Sequence, residues 1–401
     1  MIYAPASHLP AVSNSNRIQP GVSEDEAAAL LSDLVAIDSR NPPGREKPVA
    51  EYIVDRLAEW GIDARPFERP DPDRPQVIAE VGDGDPEAGT LVLNGHIDVV
   101  PPGETERWTH DPFGGEREGN RVYGRGASDM KSGVAAGMLA LRAAHEGGVD
   151  GRVVLTCAMG EETAEPGTKT MLEEVDGDWG IVLEPTQLVV DTVGKGLAWY
   201  EVEVRGDAAH ASRPYLGNNV LDALFGFEAR LAAFREGIAE REHPLIGRSL
   251  CTPTMLESGT KENVIPDYAK LTFDRRFLPS ESVEDLDREM EELFDPLREE
   301  GFEVSVERTR TYEAAEIDAD HEIATVVRRH AHDVAGVETA PHGKDAAPDQ
   351  RNFVHVAGIP AIIWGPGVSE QSHTVDEWAP VDTLVDGVEV LCRTIEELCT
   401  A

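Results

Sequence analysis

Positive charge is in short supply in this sequence: 36 Lys and Arg stand against 76 Asp and Glu, a formal net charge of −40 at pH 7. A surface this acidic repels nucleic acid and anionic membranes, which excludes both as partners. Cysteine is scarcer still. The four present, Cys157, Cys251, Cys392 and Cys399, form no C-x-x-C pair, so a thiolate metal site is excluded and a reducing cytoplasm is expected. No stretch approaches the roughly 20 consecutive apolar residues of a membrane span. No charged-then-apolar leader opens the chain, and a cytoplasmic location is expected. The absence of a Gly-x-Ser-x-Gly elbow, and of any cysteine in an activating context, removes the Ser and Cys hydrolases. No internal repeat or low-complexity block occurs either.

What is abundant is acid, and it is spread along the chain rather than gathered in a tail, as at Glu284, Asp285, Asp287, Glu289, Glu291 and Glu292. With Arg far outnumbering Lys, this distribution points to adaptation to molar salt, where the Debye length falls to about 3 Å and self-repulsion is screened. A chain of 401 residues exceeds one typical domain, so two are expected.

The residue patterns divide the chain accordingly. Residues 1–22 are polar and contain Pro, Ser and Asn, which predicts a flexible arm. Ser23 and Glu26 form a capping box before an apolar stripe at Leu30, Leu31, Leu34 and Val35. A second helix is predicted from Pro48 to Trp60, stopped by Gly61. Short β-rich runs follow at Val77–Val81, Thr90–Asn94, Val153–Ala158 and Ile181–Leu183, with a small-residue helix at Ser132–His145. Such alternation predicts an α/β domain with a partly parallel sheet. After Gly196 the order becomes β-α-β-β-α-β through Glu307, the signature of a small ferredoxin-like sandwich. The first pattern then returns, with a helix near Glu322–Val334 and a buried strand at Ala361–Trp364. The small α+β domain, residues 195–308, is therefore read as inserted into a discontinuous domain of residues 23–194 and 309–401.

Five segments place ionisable side chains beside glycines or at the ends of apolar runs, where an α/β fold builds its site. In Asn94-Gly95-His96-Ile97-Asp98 the His and Asp share one side of an extended backbone, so the carboxylate can orient the ring. Alone, His-x-Asp is a weak signal, and a surface pair is its more ordinary reading. Asp129, in Gly126-Ala127-Ser128-Asp129-Met130-Lys131, precedes the small-residue helix and reads either as its N-cap or as a carboxylate bridging two cations. Glu161 and Glu162 close the run ending at Met159, where paired acids are costly unless they pair or coordinate metal. Glu184 ends another strand, and His373 lies in Ser372-His373-Thr374-Val375-Asp376-Glu377. Together they supply nitrogen and oxygen ligands that suit zinc first, with cobalt or manganese also accommodated.

In order and wording these segments resemble the co-catalytic di-metal amidohydrolase and peptidase family of acetylornithine deacetylase, succinyl-diaminopimelate desuccinylase, aminoacylase-1 and carboxypeptidase G. The resemblance runs from about Val35 to the end and implies a zinc-peptidase-like mixed sheet flanked by helices, with an inserted ferredoxin-like dimerisation domain. It also implies two divalent metal ions, with His96 and Glu184 on one, Glu162 and His373 on the other, and Asp129 bridging. Asp98 would orient His96, and Glu161 would be the general base toward a metal-bound water. In the inserted domain His210 matches the residue that reaches the partner subunit's site and stabilises the oxyanion, which implies a homodimer. Asn263 matches a substrate contact, and Arg276 the fork that grips a substrate carboxylate. Arg275, next to it on a strand, is expected to face outward.

The departures concern substrate recognition. Only Gly259 stands where the family often pairs glycines before Asn263-Val264-Ile265-Pro266. The late substrate loop reads Gly343-Lys344-Asp345-Ala346-Ala347-Pro348-Asp349-Gln350-Arg351, with Asp349 and Arg351 taken as its substrate-facing pair. The implied activity is hydrolysis of the amide of an N-acyl amino acid, a small substrate with a free carboxylate. A dipeptidase or carboxypeptidase of the same family is the alternative. A binding protein that only kept the fold would lack a ligand or the base, and none is lacking.

Overall fold

The computed structural model describes residues 18–85, 87–163 and 165–400. Most of the expected arm, up to residue 17, lies outside the described residues. Ile18, at its end, is buried in the main core.

The first helix, Glu24–Ala36, starts where the capping box predicts, with the Ser23 hydroxyl accepting the Glu26 N–H at 3.2 Å. Acids fill its first turn, where the helix dipole favours them. Its stripe of Leu30, Leu31, Leu34 and Val35 is buried. The second helix, Lys47–Glu59, ends at Gly61, whose φ of 77° suits glycine.

A nine-stranded mixed sheet forms the centre of the larger body. Thr90–His96 lies between Arg152–Ala158 and Trp179–Val182, parallel to both, and Ala361–Ile363 adds parallel to Trp179–Val182. Gln76–Val81 and Asp63–Phe67 extend one side antiparallel. On the other side Asp191–Gly194 carries Ala315–Glu316 antiparallel and His342–Lys344 parallel. The parallel strands all end at one edge, which brings His96, Glu161, Glu162 and Glu184 together there.

Helix Ser132–Gly147 packs on this sheet so closely that a Cβ at Gly133 would lie 2.0 Å from the Leu183 carbonyl oxygen. That approach explains the small residues of the run. Helices Glu24–Ala36, Glu322–Ala335 and Val381–Cys399 complete the layer around the main core. The last of these has no counterpart in the sequence reading, although its stripe of Leu384, Val388, Leu391 and Ile395 has helical spacing.

A separate four-stranded antiparallel sheet, in the order Leu250–Ser258, Tyr268–Phe277, Gly196–Arg205, Glu303–Tyr312, has its own apolar cluster. Helices Val220–Ile238 and Val283–Glu299 contribute Phe227, Leu286, Met290 and Phe294 to that cluster. The β-α-β-β-α-β order is the expected one, and the final strand runs past 308 to Tyr312.

Arg275 corrects an expectation. It does not face solvent but is fully buried, with Nη2 2.7 Å from the Glu281 carboxylate and 3.5 Å from that of Glu289. Alternation puts Asp274 and Arg276 on the open face, so Arg275 falls on the helix-covered face, where only a paired charge is tolerated. Among the described residues no helix is long and apolar enough to cross a membrane, and all four cysteines are buried and free.

Candidate metal centre

His96 and His373 approach Asp129 from opposite sides. The Nε2 atom of His96 lies 3.2 Å from Oδ1 of Asp129, and that of His373 lies 3.6 Å from its Oδ2. Each histidine has a second acid of its own. Oε1 of Glu184 is 3.9 Å from His96 Nε2, and Oε2 of Glu162 is 3.0 Å from His373 Nε2. The carboxylate of Glu161 joins the His96 side: ligand atoms of His96, Glu161 and Glu184 lie within 4.8 Å of one another, as do those of His96, Asp129 and Glu162. One carboxylate shared by two histidine–glutamate pairs is the donor arrangement of a two-cation site. Its nitrogen and oxygen atoms fit zinc, cobalt or manganese.

The electrostatics point the same way. Burial, followed by the nearby Asp129, pushes Glu184 up to about 7. Burial also raises Glu162, and it raises Glu161 well above the usual carboxylate range, helped by Glu184, Asp349 and Glu162. Asp129 goes the other way: burial works upward, but the hydrogen bond from His96 and the nearby His373 and Lys344 outweigh it. Crowded acids of this kind are relieved by a bound cation.

Two buried carboxylates hold the ligand loops. Asp98 accepts the N–H groups of Glu161 and Glu162, each at 3.2 Å, and the Asn41 amide at 3.2 Å. Towards His96 its backbone carbonyl is nearer Nδ1, at 2.9 Å, than its carboxylate, at 3.6 Å. Glu377 accepts the N–H groups of Gly126, Ser128 and Asp129 at 3.0, 2.9 and 3.0 Å. It also pairs with Arg125 at 2.6 Å, whose other nitrogen donates to the His373 carbonyl at 3.3 Å. Glu377 thus ties the Asp129 loop to the His373 loop. The sequence reading assigned no role to Glu377 or Asn41. Only Glu377 had a signal, a second acid directly after Asp376.

The acids open into a cavity of about 300 Å3, lined also by Lys344, Ala347, Pro348 and Ser369. Its lining comes entirely from the larger body. His210 and Asn263 lie elsewhere, exposed on adjoining loops of the four-stranded unit, where the Asn263 carbonyl accepts the Ala211 N–H at 3.0 Å. The His210 ring accepts from Ser212 at 3.1 Å. Arg276 is on the open sheet face, paired with Asp274 at 2.8 Å, and Asp274 also receives the Trp199 indole N–H at 3.0 Å. Asp349 and Arg351 are nearly buried and bonded to each other at 3.0 Å. Asp349 accepts from Thr168 at 2.6 Å, while the Arg351 guanidinium stacks 4.0 Å from the Tyr312 ring.

A histidine and carboxylate cluster at the carboxyl edge of a mixed sheet, in a chain that matches a peptidase family, defines a metal-binding hydrolase that acts on amide bonds. Residues 92–397 match the peptidase family M20/M25/M40, and the chain belongs to that family. A probable succinyl-diaminopimelate desuccinylase of Staphylococcus epidermidis is 26% identical over 402 residues, covering 92% of this chain and 96% of that protein. The N-formyl-4-amino-5-aminomethyl-2-methylpyrimidine deformylase of Halalkalibacterium halodurans is 26% identical over 408 residues, covering 94% and 95%. An M20 family metallo-carboxypeptidase from Sulfolobus solfataricus shares the fold, with a TM-score of 0.78 at 18% identity over 93% of this chain and 99% of its own. The family resemblance and the α/β fold read from the sequence are both borne out.

Proposed function

We propose that this enzyme removes the acyl group from an N-acyl amino acid, using two divalent cations. The observation that carries the reading is Asp129, whose two oxygens face two different histidines. His96 and Glu184 would hold one cation, His373 and Glu162 the other, and Asp129 both. When bound, such a pair polarises the scissile carbonyl and activates water. Glu161 takes a proton from the attacking water and passes it to the leaving nitrogen as the C–N bond breaks, giving a carboxylate and a free amine.

Arg276 would hold the substrate's free carboxylate, with Asn263 beside it. His210, outside its own chain's cavity, would donate to the tetrahedral oxygen in the site of a second copy. The four-stranded unit supports that pairing. Its edge strand Leu250–Ser258 and neighbouring helix expose Phe225, Met255 and Leu256 at 73%, 57% and 54%. Residues 23–194 and 309–401 would form the catalytic domain and 195–308 the lid and dimer unit, with the boundary moved to Tyr312, where the last strand of that unit ends. Asp349 and Arg351 would shape the substrate wall through their mutual ion pair.

The test is a panel of N-acetyl and N-succinyl amino acids and dipeptides, each assayed with zinc- or cobalt-loaded protein with and without chelator. Chelator-sensitive release of amine from an N-acyl amino acid is expected. Turnover confined to dipeptides would replace deacylation with peptidase activity.

A further inference from the structure

The last strand of the four-stranded unit, Glu303–Tyr312, begins in regular alternation. Val304 and Val306 face the helix-covered side and pack on its apolar cluster. Arg308, on the same side, pairs at 2.8 Å with Asp287 of helix Val283–Glu299. Continued alternation would put Arg310 there too. Instead the register slips: Arg308 stands opposite Tyr200 and Arg310 opposite Trp199, with Thr309 as the extra residue of a β-bulge. Trp199 pairs with Asp274 on the open face, so the bulge turns Arg310 onto that face as well.

Re-aimed in this way, Arg310 reaches out of its own sheet. Its guanidinium lies 5.1 Å from the centre of the Trp199 ring, within cation–π range. Its Nη1 donates to the Thr163 carbonyl oxygen at 2.7 Å, a short bond from a charged donor. Thr163 directly follows Glu161 and Glu162 in the turn after strand Arg152–Ala158. The larger body holds the same turn at other points. Asp98 accepts the Glu161 and Glu162 N–H groups, and the Asn41 amide donates to the Thr163 hydroxyl at 2.6 Å. Arg310 is also one end of a chain. The Trp199 indole N–H donates to Asp274, and Asp274 accepts from Arg276. The turn that bears the proposed base and the proposed carboxylate contact are thereby joined through Trp199 and Asp274. A general base works only when its carboxylate is held at the productive geometry, and a shift of about 1 Å costs up to about 100-fold in rate.

We propose that Arg310 is a positioning residue for this reaction: through the Thr163 carbonyl it holds the Glu161–Glu162 turn against the sheet that carries Arg276. The inference rests on the deacylase reading above. It adds to that reading a residue of the four-stranded unit that acts on the base through the backbone.

The test compares metal-loaded wild type, Arg310→Met and Arg310→Lys on one N-acyl amino acid. Arg310→Met should lower kcat about 10- to 100-fold, with KM changed by less than about 2-fold. Arg310→Lys keeps a charged donor and should recover much of the lost kcat. A second readout is independent of turnover. Hydrogen exchange of the Glu161 and Glu162 amides should accelerate about 10-fold or more in Arg310→Met, with the strand Tyr268–Phe277 still protected as in wild type. A rise in KM at unchanged kcat would make Arg310 a substrate contact and overturn the proposal. Exchange that accelerates evenly across the molecule would reduce Arg310 to a general stabiliser, and unchanged exchange in the turn would also overturn the proposal. Absence of amide hydrolysis by the wild type would instead overturn the deacylase reading, while exchange in the turn would still decide on Arg310.

Discussion

At the scale of single residues, the site is organised by how each acid is compensated. The hydrogen bond from His96 and the nearby His373 and Lys344 hold Asp129 low, whereas burial, with Glu184, Asp349 and Glu162 nearby, raises the proton affinity of Glu161. Adjacent in sequence, Glu161 and Glu162 diverge in direction, so Glu162 meets His373 while Glu161 stays with His96 and Glu184. Away from the site, Asp191 shows the cost of burying an acid without a hydrogen-bonded cation. Burial, partly offset by Lys344 and His342, pushes it up to about 6 from 3.8. Between those values the folded chain holds a proton that the unfolded chain has released, so this group lowers stability as pH rises from about 4 to about 6. Asp191→Asn should remove that slope and gain on the order of 2 kcal/mol at pH 7 relative to pH 4. Chemical denaturation at the two pH values checks it, and parallel behaviour of the two proteins would contradict it.

At the scale of elements, strand ends bring His96, Glu162 and Glu184 together, and buried carboxylates fix the loops that carry Asp129 and His373. Removing Glu377 leaves three backbone N–H groups and the Arg125 guanidinium unpaired in the interior. Glu377→Ala should therefore destabilise the chain by about 3–5 kcal/mol. It should also weaken metal retention, because the Asp129 and His373 loops lose their tie. A denaturation curve and a metal analysis after dialysis read the two effects separately. Much of this was legible in the sequence, for physical reasons. Strand-closing acids and the Ser23 capping box are local signals, and the β-α-β-β-α-β order fixed the four-stranded unit. Other features were not local. The partners of Glu377 are some 250 positions away, and no pattern along the chain announces them. Arg275 was misplaced because its partner Glu281 lies on the following segment, so a charged residue that looked external is paired inside. The Asn41 contact with Asp98 is likewise a product of folding.

At the scale of the whole molecule, a net charge of −40 is self-repelling in dilute buffer. Raising KCl from about 0.1 M to about 3 M collapses the screening length, and the thermal midpoint should climb steeply. A midpoint indifferent to salt would contradict the halophilic reading. The exposed Phe225 and Met255 make a second prediction: sedimentation should show a dimer, and Phe225→Asp with Met255→Asp a monomer with reduced amide hydrolysis. A fully active monomer would remove His210 from the reaction. The central claim is that Glu161 moves the proton while other side chains hold the metals. Its most direct test is Glu161→Gln, with bound metal and amide hydrolysis measured on the same sample. Two metals retained with kcat reduced about 100-fold or more is the predicted result; unimpaired turnover by the metal-loaded variant would contradict it.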